Sequence, residues 1–264
     1  MITNPVIVTS LFDIGRDTWD NFKVSYHTYL WWMKNTLAID ANFVIYTDNR
    51  FYEDIIKMRQ EVDPEWKRSK VINMYLHTLP SYTRYNKRLE NLMYSPDFVN
   101  KIMFQVPEMT KPLYNTLIFN KLDFIKDAKD HNYFNGDLYI WVDAGGLRED
   151  ISLYKDVKWP NINKVNQRIV ADKITFFSHH PDFDVLSNES HAMSQVRHIQ
   201  GGSIFCPVSQ INSLHKLFNQ TVNECINSGY IGSEEKMLDL TYIKNKSLYN
   251  IVTCDWREYY FIFK

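Results

Sequence analysis

The chain has 264 residues, enough for a well-buried core, and its 30 Lys plus Arg nearly balance its 31 Asp plus Glu. No basic run is present to neutralise a polyphosphate backbone, which excludes nucleic acid as a main partner. No apolar stretch approaches the roughly 18 to 20 residues that cross a bilayer, and no basic, then apolar, leader opens the chain, so no transmembrane segment is expected.

Cys206, Cys225 and Cys254 are an odd, widely spaced set without a CxxC pair. They suit neither a disulfide framework nor a zinc knuckle and point to a reducing, cytoplasmic setting, with at most peripheral membrane association. Aromatic residues make up 15% of the chain. Rings in that abundance either fill a core or form stacking platforms for sugars and bases, and composition does not decide between the two.

Pro5 to Phe12 reads as a buried first strand, followed by a loop with Asp13, Gly15 and Asp17. Trp19, Phe22, Tyr26, Leu30, Met33 and Leu37 then recur at helical spacing. Asn42 to Asp48 is a second strand ending in an acid, and this strand, helix, strand order predicts a right-handed crossover and a mainly parallel sheet. Val71 to Leu76 is a third strand, and Tyr82 to Met93 is helical. From Pro112, the residues Tyr114, Leu117, Ile118, Leu122, Ile125 and Ala128 predict one amphipathic helix. Further strands are expected at Leu138 to Val142, Lys173 to Ser178 and Gly201 to Pro207, and helices at Ile211 to Asn227 and Glu234 to Lys244. No linker interrupts the pattern, so residues 1–264 are read as a single α/β domain.

The strand Leu138 to Val142 runs straight into Asp143-Ala144-Gly145-Gly146. A carboxylate where a buried strand stops is held rigidly and faces the crevice where α/β proteins bind ligands. Asp48 ends a second strand in the same way. Lys111 and Asn115 flank the start of a helix, where free amides and the helix dipole favour an anion such as a diphosphate. The pair His179-His180 is a poor metal site, because neighbours on a strand end point in opposite directions. His198, just before Gln200-Gly201-Gly202, is a better candidate for touching a substrate. Glu234 and Glu235 open a helix after a glycine-containing loop; one complements the dipole, leaving the other, with Glu235 favoured, as a general base or a ligand for acceptor hydroxyls.

The segments Pro5 to Arg16, Trp141 to Gly145, Gln200 to Phe205 and Gly232 to Glu235, in this order and spacing, resemble the HtrL/YibB (WlaTC-like) family of bacterial glycosyltransferases over nearly the whole length. The resemblance implies a GT-A-like fold with a mostly parallel central sheet flanked by helices. It also implies a nucleoside-diphosphate sugar donor, a UDP-sugar foremost, and a divalent Mn²⁺ or Mg²⁺ held by an Asp-x-Asp motif. Here that motif is Asp143-Ala144-Gly145, its second acid replaced by glycine. Asp255 is the oxygen ligand that would replace the usual C-terminal histidine. By position, Thr9 to Arg16 and Asp48 would meet the nucleoside and Lys111 and Asn115 the phosphates or sugar. Gly201 and Gly202 would meet the sugar or acceptor, His198 the acceptor, and Glu234 or Glu235 the reacting centre.

The expectation is a glycosyltransferase acting on a hydroxyl of a glycan, lipid-linked sugar or protein. The alternative is a protein of the same fold that binds nucleotide sugars without turnover. A sugar nucleotidyltransferase ranks last, since Asp13-Ile14-Gly15-Arg16-Asp17 is a poor version of the glycine-rich basic loop it needs.

Overall fold

Alternate residues of the central strands feed two separate cores, which is what a sheet covered on both faces requires. Val6, Val8, Tyr139, Trp141, Ile204 and Cys206 join the core on one face, whereas Ile7, Leu138, Ile140, Val142 and Phe205 join the other. The computed structural model describes residues 1–154, 158–185 and 187–264. The strands are β1 (Pro5–Leu11), β2 (Asn42–Thr47), β3 (Ser69–Asn73), β4 (Leu138–Val142), β5 (Ile174–Ser178), β6 (Ile199–Pro207) and β7 (Tyr249–Thr253). They form one seven-stranded sheet in the order β3-β2-β1-β4-β6-β5-β7.

The β3, β2, β1 and β4 pairings are parallel, as is β5 with β7, so the sheet is mostly parallel as the sequence predicts. β6 runs antiparallel to both β4 and β5. This reversal brings the start of β6 to the edge where β1 and β4 end. Val142 pairs with Ser203, and one step further the Asp143 N–H donates to the Gly202 carbonyl at 3.1 Å. Two glycine-containing segments distant in sequence thus meet at one sheet edge.

Two predicted helices differ in outline. The helix expected from Trp19 begins only at Tyr26, because Ser25 caps it by accepting from the Thr28 N–H at 3.1 Å and Phe22 adopts a left-handed φ of 59°. The helix expected from Pro112 through Ala128 is two, Pro112–Phe119 and Lys121–His131. Asn120 separates them, its buried Oδ1 accepting from the Ser81 N–H at 3.0 Å and the Ser81 hydroxyl at 2.7 Å. β7 was not predicted; its partly exposed residues show neither alternation nor a buried run. No helix among the described residues is long and apolar enough to cross a membrane, and all three cysteines are free and buried.

The Asn120 break sets where Lys121 enters the fold. Asn120→Ala leaves the Ser81 N–H and hydroxyl unpaired in the interior, and the expected cost is about 2–4 kcal/mol of unfolding free energy. A urea titration checks it as a lowered midpoint at unchanged slope.

Candidate active site

At the edge where β1 and β4 end lies a cavity of about 260 Å³. β1 contributes Ser10 and Leu11 and the loop after it Phe12, Ile14 and Arg16. That loop is held by Asp48, which accepts from the Asp13 N–H at 2.6 Å and the Arg50 N–H at 3.0 Å. Asp48 therefore shapes the wall from behind and does not line the cavity; burial raises its carboxyl above the ordinary value.

The centre of the site is Lys121, whose side chain is only 7% exposed. Its Nζ donates to Glu234 Oε1 at 2.7 Å and to the Gly201 carbonyl at 3.0 Å and lies 2.9 Å from Asp143 Oδ1, so all three of its protons have acceptors. Burial alone pulls an ammonium down, but the charges of Asp143 and Glu234 outweigh it and hold Lys121 above the usual lysine range. Asp143 Oδ1 also accepts from the Trp141 indole N–H at 2.7 Å, and the ammonium lies 5.6 Å from the Trp141 ring. Asp143 remains 41% exposed and lines the cavity.

Gly201 is glycine for a steric reason. A Cβ there would stand 2.5 Å from Glu234 Oε1, so any side chain would displace the carboxylate that holds Lys121. Glu234 lines the cavity, and Glu235 packs behind it, 3.2 Å from Arg197 Nε and accepting from the Gly201 N–H at 3.3 Å. The sequence favours Glu235 as the residue facing the crevice; Glu234 takes that position, because Lys121 arrives from its side. Ser233, whose hydroxyl accepts from the Lys236 N–H at 3.4 Å, caps the helix in place of a glutamate.

The remaining sequence-derived candidates divide. Arg16, Asp143, Ala144, Gly145 and Gly202 line the cavity. Thr9 is fully buried with its hydroxyl unpartnered, and Asn115 is buried with its amide donating to the Glu108 carbonyl at 2.8 Å; neither lines the cavity. Lys111 is exposed, its ammonium 5.6 Å from the Trp19 ring. His198 stacks on Phe183 at 4.1 Å, away from the cavity, where burial lowers its pKa. Asp255 is 92% exposed and lies 3.6 Å from His179 Nδ1, so its carboxylate turns to solvent and not to Asp143.

Sequence reasoning passed over Lys121, Arg148, Trp256 and Arg257, all of which line the cavity. Arg148 lies 3.8 Å over the Trp32 ring and 5.0 Å from Trp256, with its Nε donating to the Gly145 carbonyl at 2.9 Å. Arg257, at a left-handed φ of 67°, sits 4.4 Å over Trp256 and pairs with Glu149 at 3.0 Å. The site therefore combines anchored cations, two carboxylates and aromatic faces from Tyr29, Tyr114 and Trp256.

The expected divalent ion does not fit this set. Asp143 Oδ1 and Glu234 Oε1 already surround an ammonium. At Gly145, where the second acid of the motif would stand, a Cβ would meet Trp32 at 3.0 Å, and Asp255 faces away. Among the described residues no group of three or more His, Cys, Asp or Glu is gathered as metal ligands.

A family profile described as "Bacterial protein of unknown function (HtrL_YibB)" matches residues 3–264. The chain belongs to the HtrL_YibB family. Protein HtrL of Escherichia coli (strain K12) is 21% identical over 265 residues, which span 95% of this chain and 88% of that protein. Among solved structures, the galactosyltransferase LgtC in complex with donor and acceptor sugar analogs aligns over 94% of this HtrL_YibB chain and 73% of its own, at a TM-score of 0.48 and 8% identity. An active-site mutant of LgtC aligns over 94% and 72%, at a TM-score of 0.46 and 8% identity.

Burial and the neighbouring Glu234 charge raise the Glu235 carboxyl to about 7, against the pull of Arg197. A carboxyl raised on folding contributes stability that is fully present below its unfolded value and is lost as pH climbs through the folded one. Thermal unfolding is therefore expected to show a fall in stability from pH 5 to pH 8 that Glu235→Gln flattens. An equal fall in both proteins would assign the titration elsewhere.

Proposed function

We propose that this protein is a glycosyltransferase of GT-A-like fold that moves a sugar from a nucleoside-diphosphate donor, a UDP-sugar foremost, to a hydroxyl of a glycan, lipid-linked sugar or protein. The observation that carries the reading is the coexistence, in one cavity at the strand ends, of aromatic faces for ring stacking, anchored cations for phosphates and carboxylates for hydroxyls. Few ligand classes need all three together.

In this reading the C1–O bond to the diphosphate breaks and its electron pair leaves with the phosphate oxygen, whose growing charge the arginines lining the cavity offset. The acceptor oxygen forms the new bond to C1 and gives up its proton to Glu234. That carboxylate lines the cavity and is held by Lys121, whereas Glu235 lies behind it. Asp143 orients Lys121 through Oδ1 and offers its other oxygen to donor hydroxyls.

The test is release of free sugar or transfer to an acceptor from a panel of UDP- and GDP-sugars, run both with Mn²⁺ and with EDTA. Asp143→Ala is expected to fold, since the side chain is half-exposed, and to lose turnover by at least about 100-fold, the scale of a lost charge-assisted contact and a misplaced Lys121. Wild-type turnover retained by a folded Asp143→Ala protein would overturn the assignment. The second reading, nucleotide-sugar binding without turnover, is favoured by the engagement of Glu234 Oε1 with Lys121, which occupies that oxygen; nucleoside diphosphate binding with no product across the panel would select it.

A further inference from the structure

The turn after β4 lacks the second acid of a metal-binding motif and holds a guanidinium instead. In the Asp-x-Asp motif of GT-A enzymes this turn ends in a second acid that helps to hold a metal; the resembling family commonly has glycine there, as this chain does at Gly145, whose carbonyl accepts from Arg148 Nε at 2.9 Å. A ligand for a cation has been replaced by an anchor for one. We infer that the cavity takes the diphosphate of its donor without a divalent ion, the negative charge being met by Arg148 and Arg257, with Arg16 also lining the cavity. This deepens the reading of the cavity as a nucleotide-sugar site and rests on it.

Four observations support the inference. Lys121 occupies Asp143 Oδ1 and Glu234 Oε1 together, so the carboxylates a metal would use already have their cation. Arg16 and Arg148 line the cavity with no carboxylate partner among the described residues, and they are positioned by aromatic rings instead. Cation–π contacts fix a guanidinium without neutralising it, which leaves its charge for a ligand. Arg257 also faces the cavity, its Nε buried without a hydrogen-bond partner. Finally, burial and the like charge of Arg257 both pull Arg148 down, and an anion bound between the two would relieve that repulsion. Planar forks of this kind bind phosphate oxygens bidentately.

Calorimetry on the full chain with UDP, GDP and uridine, in excess EDTA and again in excess Mn²⁺, tests the inference. The expected result is nucleoside diphosphate binding of equal affinity in both buffers. Arg148→Ala is expected to weaken the diphosphate by about 10- to 100-fold while changing uridine little. Arg257→Gln is expected to act in the same direction, and Arg148→Lys to recover only part of the loss, because a point charge replaces a fork. Diphosphate binding that appears only with Mn²⁺ would overturn metal independence while leaving the nucleotide-sugar reading intact. Equal weakening of UDP and uridine in folded Arg148 and Arg257 variants would overturn the arginine cradle. Absence of diphosphate binding in both buffers would overturn the nucleotide-sugar reading itself.

Discussion

One buried ammonium holds the site together. Lys121 enters from the start of a helix and bonds to the carboxylate after β4, the carbonyl at the start of β6 and the first glutamate of the helix Glu234–Lys244. Four segments spread over more than a hundred residues are fastened by a single charge. Removing Lys121 from this set leaves the buried Glu234 uncompensated, at a cost of about 3–5 kcal/mol, while the intact set adds little net stability. Its value is positional: Asp143, Glu234 and the Gly201 carbonyl have one arrangement in which all three reach Nζ.

That arrangement depends on the one reversal in the sheet. Were β6 parallel to β4, its glycines would lie at the opposite edge, and the Asp143 N–H would have no Gly202 carbonyl to meet. The antiparallel pairing brings Gly201 and Gly202 alongside the acid, and their missing side chains leave room for Glu234, Tyr259 and Trp256 around it. The chemistry of the β4 turn and the topology of the sheet are therefore one constraint.

Much of the frame was legible. β1, β2, β4 and the mostly parallel sheet follow from buried runs and crossover order, and Asp143 was recognisable because a five-residue buried strand ends on it. Lys121 carried a readable signal that was passed over: it stands four residues after Leu117, three after Ile118 and four before Ile125, squarely in an apolar stripe. A lysine inside such a stripe must find carboxylates or leave the core. Other features had no local signal. The direction of β6 is set by pairing, not composition. Arg148 and Arg257 meet only because the turn after β4 and the segment after β7 fold against the same tryptophan, a contact between residues 148 and 256 that no local pattern encodes. Asp255 looked suitable as a charge in the right region, but the chain at Asp255–Glu258 turns so that Trp256 faces the cavity and Asp255 does not.

The aromatic residues fill the core and, around the cavity, hold guanidinium groups. Tyr46, Phe124 and Trp141 stack in the interior, with centroids 4.4 Å apart for the first pair and 6.2 Å for the second, as packing requires. Around the cavity the rings do something different. Trp19, Tyr29 and Tyr114 surround Arg16, and Trp32 and Trp256 bracket Arg148. Had carboxylates held these guanidinium groups, the cavity would be neutral and rigid; held by rings, it is rigid and cationic. A chain whose net charge is only -1 can in this way concentrate positive potential at one point without basic runs anywhere in its sequence. The overall balance of charge, which excluded a polyanion as partner, therefore says nothing against a small, highly charged anion bound in one cavity.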